Sequence, residues 1–158
     1  MIVKRWILYA LAFAVVSVFG ASPFYGTDIG ELAPVEIVWL TQENGNVGVL
    51  TDTGDWGWGA DVPSALGNLK ATALGTVFLE TADYLIVRRG SEKLLEQVYH
   101  ILRPSCMICV AKEMPDMEQV SGFLRAHEPE ITLRQYQNEA LELPSLTLEN
   151  GRYLWSEQ

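Results

Sequence analysis

The sequence predicts an α/β (α+β) fold, a mixed β-sheet with helices packed on it, and three observations carry that reading. β-rich runs alternate with amphipathic stretches along the body of the 158-residue chain. Two Asn-Gly pairs, Asn44-Gly45 and Asn150-Gly151, each separate two β-rich runs and mark hairpins toward either end of that body. Between Pro104 and Pro115 lies CMICVA, a continuous apolar run of the kind needed by a strand covered on both faces. Two regions are expected: residues 1–25 as a signal peptide or N-terminal membrane anchor, and 26–158 as a single extracytoplasmic α/β domain ending in a hairpin.

The first element is the apolar one. MIVKR supplies a short basic stretch, and WILYALAFAVVSVFG follows with Ser17 as its only polar interruption. The run over 6–20 is shorter than the roughly 20 residues that span a bilayer, and extension to Tyr25 reaches that length. Val18-Phe19-Gly20 before Ala21 also suits cleavage, so both a cleaved signal and an uncleaved anchor fit. In either case the basic flank places the N-terminus in the cytoplasm and the body outside. No cysteine stands near this segment, which excludes a lipid-modified cysteine there.

The body opens with β-rich runs at 35–40 and 47–51 around the first Asn-Gly turn, followed by the glycine-dense TDTGDWGWGAD. Asp61 is placed to cap a helix with Pro63 just inside its start, and Val62, Leu66, Leu69 and Ala73 mark one face of it. Residues 76–79 read as a strand or a last helical turn, and 84–87 as a strand. Ser91 is expected to cap a second helix with an apolar stripe of Leu94, Leu95, Val98, Ile101 and Leu102, ended by Pro104. After the CMICVA strand, Asp116 begins a third helix with Met117, Val120, Phe123 and Leu124 inward and Arg125 and His127 near its end. HEPEITLRQYQNEALELP is polar with mixed signals and predicts no element. The second hairpin, around Asn150-Gly151, closes the chain.

Both cysteines, Cys106 and Cys109, fall in the CMICVA run. Three positions apart on a strand, they face opposite sides at roughly 10 Å, beyond the ~7 Å that a disulfide tolerates. A redox C-x-x-C needs its first thiol exposed at a helix N-terminus, and a zinc site needs a second ligand pair, whereas His100 and His127 sit alone on separate elements. The pair therefore reads as two reduced core residues. The competing reading is an exported thiol oxidoreductase using them.

The formal charge is −9, and the first twenty residues contribute only Lys4 and Arg5, so the body is more acidic still. Arg88-Arg89 is its only basic cluster, which argues against nucleic-acid binding. Asp52, Asp55 and Asp61 do not match a calcium-loop spacing and read as turn and cap residues. Trp56 and Trp58 are different. Flanked by Gly54, Gly57 and Gly59, they are hard to bury together, and if they alternate as in a strand both rings share one face. With Asp55 beside them they are the expected partner-binding residues, together with whichever sheet edge the hairpins expose. No nucleophile elbow or phosphate-binding glycine loop is present, so no catalytic residue, cofactor or metal site is expected.

Three stretches, GTDIGELAPVEIVWL, DVPSALGNLKATALGTVFLETADYLIVRRG and LRPSCMICVAKEMPDMEQVSGFLRAHEP, resemble the N-terminal domain of the Ger(x)C-type C-subunit of spore germinant receptors over residues 27–129. That domain similarly opens with a D-I-x-x-L-A phrase, places an A-L dipeptide in its first helix and has a V-A-K strand after its second. Family members carry a lipid-modified cysteine after the signal and are longer. Here Phe24-Tyr25-Gly26-Thr27 occupies that place. The resemblance implies a non-enzymatic, membrane-associated interaction domain at the extracytoplasmic face of the cell or spore inner membrane, secreted if the signal is cleaved. Its partners would be the membrane, through the N-terminal segment, and membrane-spanning germinant-receptor-type subunits. A carbohydrate-binding module using the two tryptophans is a third reading.

Overall fold

The computed structural model describes residues 32–139 and 141–156; the predicted signal or anchor segment lies outside the described residues. The described chain begins in β1 (Leu32–Pro34) and β2 (Ile37–Glu43), which turns back as β3 (Asn46–Thr51). Asn44 and Gly45 both take positive φ, 51° and 84°, the conformation that brings a two-residue turn into line with the twist of its strands. β4 (Trp56–Gly59) adds antiparallel to β3. Asp61 then caps α1 (Val62–Thr72), its carboxylate accepting from the Ser64 N–H at 2.8 Å. β5 (Thr76–Phe78) resolves the alternative left open over 76–79 in favour of a strand, which pairs in parallel with β1.

β6 (Tyr84–Arg88) follows as predicted, but the second helix is much shorter than its apolar stripe suggests. It consists of a 3-10 turn over Glu92–Leu94 and a single α-turn, α2 (Leu95–Val98). Ser91 does not cap it; the Ser91 hydroxyl instead accepts from the Gln42 N–H, tying the turn to β2. The N–H groups of Ile101 and Leu102 both reach the Val98 carbonyl, so the chain tightens and unwinds before Pro104. Leu94, Leu95, Val98 and Leu102 are buried nonetheless, because successive tight turns keep them on one side.

β7 (Met107–Ala111) is the predicted apolar strand, starting one residue after Cys106. Asp116 caps α3 (Met117–Ala126) by accepting from the Gln119 N–H at 2.9 Å. The polar segment beyond it holds α4 (Leu133–Asn138), opened by a capping box between Thr132 and Gln135. β8 (Ser145–Glu149) and β9 (Arg152–Ser156) form the second hairpin, with Asn150 and Gly151 again at positive φ.

Among the described residues the strands form a seven-stranded mixed sheet in the order β4-β3-β2-β6-β7-β8-β9, beside the separate β1-β5 ladder. Its centre, β2, β6, β7 and β8, is parallel, and the antiparallel strands flank it. α1, α2 and α4 cover one face, where Leu40, Leu85 and Ile108 meet Leu69, Leu95 and Leu133. α3 covers part of the other, where Val120 and Leu124 meet Trp39, Ile86 and Cys109. Two covered faces explain why the central strands are apolar without alternation.

Candidate functional site

The strand β4 reads Trp-Gly-Trp-Gly, and each pair of positions has its own face. The glycines face α1. A Cβ on Gly57 would lie 2.1 Å from the Ala65 carbonyl oxygen, and one on Gly59 would lie 2.4 Å from the Ala65 nitrogen. The helix backbone therefore rests directly on the strand, which only glycine permits. This contact commits Trp56 and Trp58 to the opposite face, where register places them beside Leu50 and Gly48.

On that face the two indoles stack, with ring centroids 5.6 Å apart and planes within 5° of each other. They stay exposed, at 37% and 45% of their surface, on the flank of the sheet away from α3. Gly48 makes room for the second of them, since a Cβ there would come within 2.7 Å of Trp58 Cζ3 and 3.0 Å of Thr41 Cγ2. Thr41, next across the sheet, is buried, and its hydroxyl has no hydrogen-bond partner among the described residues.

β4 is an edge strand, and α1 takes up two of its backbone groups. The Trp58 N–H donates to Asn68 Oδ1 at 3.0 Å, and the Trp56 carbonyl accepts from the Thr72 hydroxyl at 3.3 Å, both from α1. The sequence predicts a recognition surface that includes whichever sheet edge the hairpins expose; the second hairpin places β9 at one edge of the sheet, and β4 forms the other. At β4 these bonds to α1 occupy part of the edge, and the rings stand exposed beside it.

The acidic residues of the preceding loop disperse. Asp55, expected beside the rings as a binding group, accepts the Thr53 hydroxyl at 2.7 Å while its carbonyl accepts the Thr51 N–H, so it shapes the turn into β4. Asp52 accepts the Glu36 N–H with both oxygens, and burial raises its pKa despite those bonds. Asp61 caps α1. Among the described residues no group of three or more His, Cys, Asp or Glu side chains gathers to hold a metal ion. Arg88 and Arg89 also have local partners, an ion pair with Glu43 and a hydrogen bond to Ser145.

Both cysteines are free and buried, Cys106 in the core under α1, α2 and α4, Cys109 in the core under α3. Burial pushes the Cys106 thiol up to about 12 and raises Cys109 as well. An oxidoreductase nucleophile needs the reverse, an exposed thiol held as thiolate, and both thiols here are buried.

Sequence reasoning located the tryptophans but missed Gly48 and Thr41 beneath them and the Asn68 and Thr72 side chains that bond to the β4 backbone. A glycine inside the apolar run VGVL was the available signal for a close approach. No helix among the described residues is long and apolar enough to cross a membrane. No family model, curated protein or solved structure matches the chain.

Proposed function

We propose that this chain is a non-enzymatic recognition domain, held at the extracytoplasmic face of a membrane by its N-terminal segment, which binds a protein partner through Trp56 and Trp58. The observation that carries this reading is the stacked, exposed indole pair, held between a helix packed on glycines and the space left by Gly48. Large rigid aromatic surface presented at low conformational cost is what binding hot spots are made of. The resemblance to the Ger(x)C-type N-terminal domain supports spore germination as the setting and membrane-spanning receptor-type subunits as the partner class. The acidic body supports a protein partner over a nucleic acid.

Co-purification from detergent-solubilised membranes of the producing cells tests this. A membrane-spanning subunit should accompany the wild-type chain and be lost, by roughly thirtyfold or more for a hot spot worth about 2 kcal/mol, in the Trp56→Ala/Trp58→Ala variant. Undiminished capture by a folded variant would refute the assignment. The near-parallel rings also favour one second reading, stacking on sugar faces. Glycan binding abolished by the same variant, without protein capture, would establish that reading instead.

A further inference from the structure

Two large apolar side chains, Leu74 and Phe78, stand exposed beside the β1–β5 ladder, at the end where the described chain begins. β1 and β5 run parallel, with Leu32 opposite Thr76 and Pro34 opposite Phe78. Leu74, two residues before Thr76, therefore lies just beyond the end of the ladder that Leu32 begins. Leu74 is fully exposed, and Phe78 is 37% exposed. The ladder's end is closed by the Thr81 hydroxyl, which accepts the Val35 N–H and has the Val35 and Phe78 carbonyls as alternative acceptors, and Val35 and Val77 fix it to the body by burial in the core. Trp56 stands at the same end, its carbonyl held by Thr72 just ahead of Leu74.

Exposed leucine and phenylalanine at a chain junction would ordinarily be unremarkable, since single surface apolar residues are common. What distinguishes these is the chain that precedes them. The apolar run of 6–20, extended to Tyr25, leaves residues 26–31 before β1. Six residues span at most ~3.6 Å each, roughly 20 Å in all, so an anchor ending there holds this end of the body within that distance of lipid.

We propose that the end of the body bearing Leu74 and Phe78 rests on the phospholipid bilayer, with Leu74 entering the boundary between headgroups and acyl chains. This rests on the membrane-anchored reading above. The contact is apolar, because an acidic body gains nothing from anionic headgroups, so it persists at high salt. It also orients the domain: a partner bound at Trp56 and Trp58 is met close to the membrane surface, where a membrane-spanning subunit exposes its loops.

The test uses the full chain reconstituted into phosphatidylcholine vesicles, with an environment-sensitive fluorophore at Leu74→Cys or Phe78→Cys and a comparison label at Leu148→Cys, exposed toward the other end of the sheet. The native thiols are buried and stay unlabelled in the folded protein. The chain should float with the vesicles. The labels at 74 and 78 should shift to the blue and be quenched by lipid-borne nitroxide, and the label at 148 should be quenched only by aqueous iodide. If the chain floats but all three labels behave as aqueous, the lipid-contact proposal falls and the tether stands. If the chain does not float, the anchored reading falls and the proposal with it.

Discussion

Gly48 decides where the Trp58 indole lies, and the pair of residues makes a clean test of the site. Gly48→Ala should lower the free energy of unfolding by about 1–3 kcal/mol, the usual cost of forcing a methyl into a filled space. Measured by urea denaturation in a Trp58→Ala background, that cost should shrink to below about 1 kcal/mol, since the ring is the nearest obstacle. Thr41 offers the opposite sign. Its buried hydroxyl lacks a partner, so Thr41→Val should leave stability unchanged or raise it by about 1 kcal/mol. A clear loss would mean that the hydroxyl is bonded in solution. The cysteines make a third prediction. Burial raises the Cys106 pKa, so the folded state holds its proton to higher pH than the unfolded chain. The stability this contributes is fully present below the ordinary thiol range and is lost as pH rises toward about 12, so the urea midpoint should decline on the alkaline side. Alkylation at neutral pH should be slow in the native protein and complete after denaturation; fast native labelling would contradict the burial of these thiols.

At the scale of elements, the packing of α1 on β4 is what turns a loop-like sequence into a platform. Gly57→Ala places a methyl against the Ala65 carbonyl and the Leu69 side chain, so the helix must lift off. The variant should lose about 3 kcal/mol or more and, by releasing the strand, change the emission of the stacked indoles. Substituting Gly54, whose Cβ direction is open but whose φ is +88°, strains the backbone without touching the helix, so the loss of stability should come with native indole emission. Which elements were legible in the sequence follows from the same physics. Both hairpins, the cap at Asp61 and the start of the third helix at Asp116 were readable because Asn-Gly turns and helix-start residues are local signals. The CMICVA strand was readable because burial on both faces removes all periodicity. α2 was overestimated because successive tight turns bury the same side chains that a helix would. α4 was missed although Thr132-x-x-Gln135 spells a capping box, since the surrounding charges masked the pattern. The β1–β5 ladder was not legible at all: three residues on each strand carry no period, and their pairing joins segments far apart in sequence. At the candidate site, alternation in Trp-Gly-Trp-Gly predicted the shared face of the rings, but which face required knowing where α1 packs.

Across the whole molecule, the sheet separates two interiors and leaves one flank uncovered. α3 is drawn over the far half of its face by Phe123 against Tyr153 and Trp155, and by Arg125 paired with Glu36 at the head of β2. Arg125 lowers the Glu36 pKa, so the stability gained from this pair is present above the ordinary carboxylate range and fades as pH falls through the lowered value. Glu36→Gln should flatten that acid limb of the stability profile, and an unchanged limb would show that the pair contributes nothing. The stacked indoles stand exposed on that same face at β4, and the proposed lipid contact at Leu74 would bring them near the membrane. Hydroxyl-radical footprinting of the full chain, in pure lipid vesicles and in membranes of the producing cells, tests this most directly. The account predicts that Trp56 and Trp58 oxidise readily in the vesicles and are protected in the cell membranes. Equal oxidation of both indoles in the two settings would contradict it.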